Sequence, residues 1–402
     1  MTGDVVRARS RSVPATEDRA LPERLGSLEL DSLSKRFGSV DAVRQLSLQV
    51  EAGEFITLVG ESGSGKTTTL LMIAGFEAPS YGRVVLDGLD LTKTPAHRRN
   101  LGMVFQNYAL FPHMTVVENV AFPLKRRSVR RHDIEQRVRA ALDLVHLSDL
   151  ENRYPRELSG GQQQRVAVAR ATVYRPPVLL MDEPLSALDK NLRQSLQSEI
   201  RRIHHELGTT IVYVTHDQEE ALALSDRVAL MRRGRLEQVG TPQDVYERPE
   251  TVYAASFLGE ANLLTGRVAS ATHERVTLEL RNGARVEGRA SGSMAAGEDA
   301  VVVVRPEHLV FVSEDQPGVD VRLQEMLYLG QDARCTGTFA TGERAVIRVD
   351  AHRAGSMMAS RTARVSWDPG AATVLPPSDE AQDRSIERHG DTTIARHSEA
   401  EG

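Results

Sequence analysis

The sequence Gly60-Glu61-Ser62-Gly63-Ser64-Gly65-Lys66-Thr67 follows an apolar run at residues 55–59 and precedes another at residues 68–74. It matches the phosphate-binding pattern G-x-x-x-x-G-K-T in the context this pattern requires, between a predicted buried strand and a predicted helix. The glycines permit a tight turn that directs backbone N–H groups at phosphate oxygens, and the helix dipole adds positive charge. The pattern therefore predicts a nucleotide site. The alternative is a glycine-rich turn that binds nothing, and such a string arises by chance in on the order of 1% of chains this long.

Residue chemistry assigns roles within this loop. Lys66 would reach the β- and γ-phosphates, and the Thr67 hydroxyl would hold Mg²⁺. The predicted nucleotide contacts of this stretch are Gly60, Glu61, Ser62, Gly63, Ser64, Gly65, Lys66, Thr67 and Thr68.

The composition is that of a globular protein with more than one domain. The chain has 402 residues, of which 40% are hydrophobic, and a formal net charge of −5. This charge argues against a surface that broadly coats nucleic acid. The single cysteine, Cys335, excludes an intrachain disulfide and fits a reducing compartment. No apolar run reaches the roughly 18 residues that span a bilayer, so a membrane role would require a partner.

A second glycine-rich helix start, LSGGQ, lies at residues 158–162. Ser159 with two glycines predicts an anion-binding helix N-terminus, although an ordinary N-cap has the same residues. An apolar strand at residues 178–181 then leads into Asp182 and Glu183. Two adjacent carboxylates at the end of a buried strand are unfavourable unless a cation or a reaction uses them. Asp182 suits holding Mg²⁺ through water that the ion binds, and Glu183 suits polarising a water in line with the γ-phosphate.

A histidine ends another predicted buried strand, at residues 210–215. Ligands gather at the carboxyl edge of a parallel sheet, so His216 is a candidate γ-phosphate contact. The alternative is a histidine whose hydrogen bonds are satisfied within the protein. Asp217, with Glu220 three residues later, forms a capping pattern that predicts the start of the next helix.

Taken together, these motifs resemble those of the ATP-binding cassette (ABC) transporter ATPase subunits. The phosphate loop, a glutamine at position 106, LSGGQ, the strand ending in Asp-Glu, SALD at residues 186–189 and His216 occur in the order and spacing of that family. The resemblance covers roughly residues 27–375. It implies ATP and Mg²⁺ as cofactors. It also implies a homodimer in which the LSGGQ of each copy caps ATP bound to the phosphate loop of the other.

The resemblance also assigns the remaining site residues. Phe37, just before a glycine, is the residue expected to stack on adenine, where many relatives carry tyrosine. Gln106 would link the nucleotide site to a membrane partner, with residues 107–124 beside that partner's coupling helix. The predicted catalytic residues are Glu183 and His216. The predicted metal contacts are Thr67, Gln106 and Asp182, and the predicted nucleotide contacts outside the phosphate loop are Phe37, Gln106, Ser159, Gly160, Gly161 and Gln162.

From residue 262 onward, short predicted strands replace the alternation of strands and helices, and Asn282-Gly283 signals a hairpin turn. This region resembles the small OB-like barrel, called TOBE, of importer ATPases. OB barrels also bind single-stranded nucleic acid, but the aromatic residues here are too few, so we expect a structural and regulatory module and no nucleic-acid partner. The predicted organisation is a disordered lead-in (1–26), an α/β P-loop ABC ATPase domain with a helical subdomain (27–261), an all-β OB-like TOBE domain (262–375) and a disordered tail (376–402).

The expected function is the ATP-hydrolysing subunit of a solute importer, peripheral on the cytoplasmic face of the membrane. Two membrane-spanning permease subunits would bind it, and an extracytoplasmic solute-binding protein would act indirectly. Residues 105–122 and 257–264 resemble the spermidine/putrescine branch more than the maltose-type sugar branch, although iron and aminophosphonate importers share much of this sequence. The alternative of another class is a non-transport ABC mechanoenzyme that works on ribosomes or DNA. Such proteins usually carry two cassettes or a coiled-coil arm, which this sequence does not show.

Overall fold

The computed structural model describes residues 26–186, 188–352 and 361–377. The predicted disordered segments, 1–26 and 376–402, lie outside these residues except for Gly26, Pro376 and Pro377. Strands and helices alternate as far as residue 257, and strands dominate from residue 262. The predicted fold class, an α/β domain followed by an all-β domain, is confirmed. Within the described residues, no helix combines the length and the apolar composition needed to cross a membrane.

The α/β domain contains ten strands and eight α-helices. Its strands are β1 (Leu28–Phe37), β2 (Val40–Val50), β3 (Phe55–Gly60), β4 (Tyr81–Leu86), β5 (Leu89–Asp90), β6 (Gly102–Val104), β7 (Val178–Asp182), β8 (Thr210–Thr215), β9 (Arg227–Arg232) and β10 (Arg235–Gly240). Its helices are α1 (Lys66–Ala74), α2 (Val116–Arg126), α3 (Arg131–Leu144), α4 (Gly160–Thr172), α5 (Lys190–Leu207), α6 (Gln218–Leu224), α7 (Pro242–Glu247) and α8 (Val252–Phe257).

A six-stranded sheet in the order β10-β9-β3-β8-β7-β6 forms the centre of this domain. All neighbouring pairs are parallel except β10 and β9. Strands β3 and β8 are buried along their whole length, which accounts for their continuous apolar sequences. The carboxyl ends of β3, β6, β7 and β8 therefore lie at one edge of the sheet, where ligands bind in α/β proteins.

Two further layers pack on this sheet. An antiparallel sheet in the order β2-β1-β4-β5 shares a hydrophobic core with β3 and α1, through residues such as Leu30, Leu46 and Ile56. Helices α2, α3 and α4 share a second core with β7 and β8, through residues such as Val120 and Leu142. These three helices are the predicted helical subdomain.

The second domain consists of strands β11 (Asn262–Ala271), β12 (Arg275–Leu280), β13 (Arg285–Ala290), β14 (Asp299–Val304), β15 (Val310–Val312), β16 (Val319–Tyr328), β17 (Asp332–Phe339), β18 (Arg344–Asp350), β19 (Thr362–Ser366) and β20 (Ala372–Leu375). Strands β11, β12, β13, β20 and β14 close a barrel, and the other five form a separate sheet in the order β15-β19-β16-β17-β18. The predicted turn at Asn282-Gly283 joins β12 to β13, with Gly283 at a φ of +80°. The described strands thus form the predicted barrel and a second sheet, and each contains five strands.

Arg305 connects the barrel to the helices of the α/β domain. Its guanidinium donates to the carbonyl oxygens of Tyr246 and Ala255 at 2.8 Å and of Glu260 at 3.2 Å. It also lies 4.1 Å from the centre of the Tyr246 ring, and the residue is only 3% exposed. Burial and the Glu307 carboxylate, to which the Tyr246 hydroxyl donates at 2.7 Å, raise the pKa of Tyr246 to about 12. Buried polar contacts therefore attach the two domains, in addition to the chain connection.

Candidate nucleotide-binding and hydrolysis site

The phosphate loop begins at the carboxyl end of β3 and ends at the first residue of α1. Gly63 and Gly65 have φ angles of +81° and +100°, which favour glycine. At Gly65 a Cβ atom would also lie 2.5 Å from the carbonyl oxygen of Ala42. No side chain of the described residues caps the start of α1, so its first N–H groups are oriented for an anionic ligand. Of the predicted contacts, Ser64, Gly65 and Lys66 are buried, Thr68 is half-buried, and Glu61, Ser62, Gly63 and Thr67 are exposed.

Lys66 lies inside the loop and is 5% exposed. Its ammonium donates to the carbonyl oxygens of Gly60 and Glu61, at 2.8 Å in each case. Burial lowers the pKa of Lys66, and the nearby carboxylates of Glu183 and Asp182 act in the opposite direction. A cation held across the loop in this way has the charge and the position to bind a phosphate group.

Thr67 and Asp182 place two side-chain oxygens in contact beside the loop. The Thr67 hydroxyl donates to Asp182 Oδ1 at 3.1 Å, which joins the first turn of α1 to the end of β7. Burial raises the pKa of Asp182, whereas the Thr67 hydroxyl lowers it. Within the described residues, no group of three or more His, Cys, Asp or Glu side chains is arranged to hold a metal. The pair fits Mg²⁺, which typically takes one or two protein ligands and completes its coordination with phosphate and water.

Glu183 lies directly after this pair and has an unusual backbone conformation. Its φ is +43°, in the left-handed region that residues other than glycine rarely adopt. Its N–H donates to the carbonyl oxygen of Val214 at 2.9 Å, which anchors it to the neighbouring strand β8. Strained residues held by their surroundings cluster at functional sites.

The Glu183 carboxylate contacts two other predicted site residues. Its Oε2 lies 3.1 Å from His216 Nδ1 and 3.4 Å from Gln106 Nε2, and the side chain is 19% exposed. Gln106 and His216 follow β6 and β8, so the strand order brings all three side chains together. The predicted contact of Gln106 with Mg²⁺ stays a prediction, because its described contacts are with Glu183 and Ser186.

Ser186 is a residue of this site that the sequence analysis did not single out. Its hydroxyl donates to the Glu183 carbonyl oxygen at 3.0 Å and accepts from Gln106 Nε2 at 3.4 Å. The sequence feature that could have indicated this role is its position as the first residue of the SALD sequence, three residues after Glu183.

The LSGGQ sequence forms the start of α4, whereas the phosphate loop ends at the start of α1. Ser159 Oγ accepts from the N–H of Gln162 at 3.3 Å, and Gln162 Oε1 accepts from the N–H of Ser159 at 2.9 Å, which is a complete capping box. Ser159 and Gly160 are exposed, and Gly161 is buried against Leu192. The described structure therefore gathers Lys66, Thr67, Asp182, Glu183, Gln106 and His216 at one edge of the sheet and presents residues 159–162 on a separate element.

Phe37 ends β1 in the antiparallel sheet. Its side chain is 47% exposed, and the Lys35 ammonium lies 4.7 Å from the centre of its ring. An exposed aromatic ring beside a cation has the geometry for stacking a flat base.

Comparisons with known proteins identify the class. A family model described as ABC transporter matches residues 43–186, and one described as TOBE domain matches residues 302–375. The solved structure of cbiO1 from Clostridium perfringens, described as part of the ABC transporter complex cbiONQ, has a TM-score of 0.51 and 29% identity, covering 54% of this chain and 89% of that chain. The chain belongs to the family of ABC transporter ATP-binding proteins.

Two relatives match nearly the whole chain. The spermidine/putrescine import ATP-binding protein PotA of Rubrobacter xylanophilus is 45% identical, covering 87% of this chain and 93% of that protein. The protein of the same name from Thermobifida fusca is 44% identical, covering 90% of this chain and 96% of that protein. The predicted resemblance to ABC transporter ATPase subunits is thereby confirmed. The prediction that the cofactor is a nucleotide is confirmed with it.

Proposed function

We propose that the chain is the ATP-hydrolysing subunit of a polyamine importer that carries spermidine or putrescine. The observation that carries the ATPase assignment is the convergence of Lys66, the Thr67–Asp182 pair and Glu183 beside one phosphate loop. The names of the relatives support the solute, because two proteins named for spermidine/putrescine import match over nearly their whole length.

In this proposal the loop binds ATP through its backbone and Lys66. The N–H groups at the start of α1 face the phosphates, and Lys66 neutralises charge on the β- and γ-phosphates. Phe37 stacks on the adenine. Thr67 and Asp182 hold Mg²⁺, which when bound offsets negative charge on the same phosphates.

Hydrolysis in this proposal depends on Glu183. Its carboxylate orients the attacking water and accepts a proton from it as the water attacks the γ-phosphate, so that the products are ADP and phosphate. His216 lies against one carboxylate oxygen and orients the carboxylate toward the γ-phosphate. Gln106, in contact with the same oxygen, would transmit the state of the site to residues 107–124.

A second copy of the chain is part of the proposed active form. Ser159 and Gly160 expose the N-terminus of a 13-residue helix, which is suited to an anion and is a different element from the helix that follows the phosphate loop of its own chain. We propose that each copy contributes residues 159–162 to ATP bound on the loop of the other. The pair would bind two membrane-spanning permease subunits at the cytoplasmic face of the membrane.

We expect Phe111 to contribute to assembly with the permeases. The centre of the half-buried Phe111 ring lies 4.6 Å from the centre of the Phe122 ring. The backbone N–H and carbonyl oxygen of Phe111 are hydrogen-bonded to the buried side chain of Asn119. Because those backbone bonds remain in the variant, Phe111→Asp should weaken assembly with the permeases more than it lowers basal ATP hydrolysis. Co-purification and ATPase assays measure the two effects.

Val310→Asp is the matched control for Phe111→Asp. Val310 is 54% exposed and lies on β15 in the second domain, so the same charge is added to an apolar residue elsewhere. Intact assembly and transport in Phe111→Asp would place the permease contact outside residues 107–124.

The solute assignment predicts a specific stimulation of ATP hydrolysis. With the permeases in vesicles and the solute-binding protein added, spermidine or putrescine should raise the ATPase rate of the complex. The comparison solutes are a maltodextrin, ferric iron and an aminophosphonate. Stimulation by one of these, with none by either polyamine, would contradict the solute assignment and leave the ATPase assignment intact.

A further inference from the structure

A partly buried cluster of charged side chains adjoins the segment that carries His216, and the proposed mechanism does not use it. Arg193, in the first turns of α5, is at its centre. Its Nη1 donates to Asp217 Oδ2 at 2.8 Å, and its Nη2 donates to the carbonyl oxygen of Leu188 at 3.2 Å. Its Nε lies 3.6 Å from Glu220 Oε1. One guanidinium thus contacts three residues in two segments of the chain, Leu188 in one and Asp217 and Glu220 in the other.

Glu220 is the most buried member of the cluster, with an exposed fraction of 2%. Its Oε2 accepts from the hydroxyls of Tyr213 at 2.9 Å and Thr215 at 2.8 Å. Asp217 caps α6 as predicted, but the Glu220 side chain turns inward to these hydroxyls instead of completing the cap. Burial raises the pKa of Glu220. A nearby cation stabilises the charged form of a buried carboxyl group, and Arg193 is the basic side chain in contact with Glu220 among the described residues.

These contacts hold the residues on both sides of His216. Thr215 bonds to Glu220 and also accepts from the N–H of Asp217 at 3.0 Å, while Asp217 accepts from Arg193. The short segment that carries His216 therefore has fixed ends. This segment sets the distance of 3.1 Å between His216 Nδ1 and Glu183 Oε2.

The contact with Leu188 extends the cluster to the segment that follows Glu183. Leu188 immediately precedes Asp189, whose carboxylate caps α5 by accepting from the N–H of Leu192 at 3.0 Å. Ser186, at the start of the same segment, contacts Gln106 and the Glu183 backbone. Arg193 is therefore bonded both to the segment that follows Glu183 and to the segment that follows His216.

We propose that Arg193 is a positioning residue for ATP hydrolysis, which holds the His216 segment and the Leu188 segment in fixed positions around Glu183. This inference rests on the proposed function, in which Glu183 and His216 act on the attacking water. A planar guanidinium suits the role because it offers several donors in fixed directions, whereas a lysine ammonium is a point charge that cannot bond to all three partners.

The test compares Arg193→Gln with Arg201→Gln. Arg201 lies on the same helix and also links α5 to α6, since its Nη1 donates to the carbonyl oxygen of Ala223 at 2.7 Å. We expect Arg193→Gln to lower kcat by about 10- to 100-fold, by analogy with the loss caused by removing partners that orient metal-ligating histidines, with little change in the KM for ATP. Arg193→Lys should be intermediate, and Arg201→Gln should retain the parental kcat.

A double-mutant cycle with His216→Ala separates positioning from general stabilisation. If Arg193 acts through His216, Arg193→Gln should add little to the loss already caused by His216→Ala. Losses that multiply, an unchanged kcat in Arg193→Gln, or an equal loss in Arg201→Gln would overturn the inference. If Arg193→Gln does not fold by circular dichroism, the same cycle is run with Arg193→Lys, where an unchanged kcat overturns it. A parental protein without ATPase activity would instead contradict the proposed function.

Discussion

Glu183→Gln should lower ATP turnover by about 10²- to 10⁴-fold, the usual range for removing a positioned general base. The amide keeps the shape of the side chain and much of its hydrogen bonding, but it cannot accept the proton of the attacking water. ATP binding should persist, because Lys66 and the Thr67–Asp182 pair are unchanged. The measurements are steady-state ATP hydrolysis and an equilibrium ATP titration.

The same variant should accumulate as an ATP-bound dimer, because binding without hydrolysis leaves nucleotide between the two copies. Size-exclusion chromatography should show the dimer with ATP and not with ADP. Glu219→Gln is the matched control, since it makes the same chemical change at an exposed carboxylate near His216. Near-parental hydrolysis by Glu183→Gln would show that another group activates the water, and His216, 3.1 Å away, would be examined next.

Lys66→Ala should abolish measurable ATP binding. Removing one partner of a buried, hydrogen-bonded charge pair costs about 2–5 kcal/mol of binding free energy. A loss of about 3 kcal/mol weakens the affinity for ATP by more than about 100-fold. The side chain bonds only to loop carbonyls in the described contacts, so we expect the fold to remain. Titration with a fluorescent ATP analogue measures the affinity, and circular dichroism checks the fold.

Lys93→Ala is the control for this change, because Lys93 is an exposed lysine outside the phosphate loop. It should bind ATP like the parental protein. An ATP affinity of Lys66→Ala equal to that of Lys93→Ala would contradict the role of the loop as the nucleotide site.

The residues that converge on the site were predictable because each belongs to a short local pattern. Lys66 and Thr67 follow from eight consecutive residues, and Asp182 and Glu183 follow from their position at the end of one buried strand. Their proximity follows from parallel strand order, since β3, β8 and β7 are neighbours with the same direction. The fold class was predictable for the same reason, because the α/β alternation and the later short strands are local features.

Contacts that depend on how strands and helices pack against one another were not predictable. The positive φ of Glu183 depends on its bond to Val214 in the neighbouring strand. Glu220 matches a capping pattern, yet its side chain bonds to Tyr213 and Thr215, because the buried hydroxyls lie on the adjacent strand. Closure of the barrel also depends on long-range pairing, since β20 returns to it and pairs with β13 and β14.

The most direct test of the central claim is uptake of labelled spermidine into vesicles that contain the permeases, with this chain and ATP inside and the solute-binding protein outside. We expect spermidine uptake to require internal ATP and to fall when unlabelled putrescine is added. The Glu183→Gln variant should show no uptake. Spermidine uptake that continues with Glu183→Gln or without ATP would contradict the proposed function, and so would ATP hydrolysis by the assembled complex with no uptake of either polyamine.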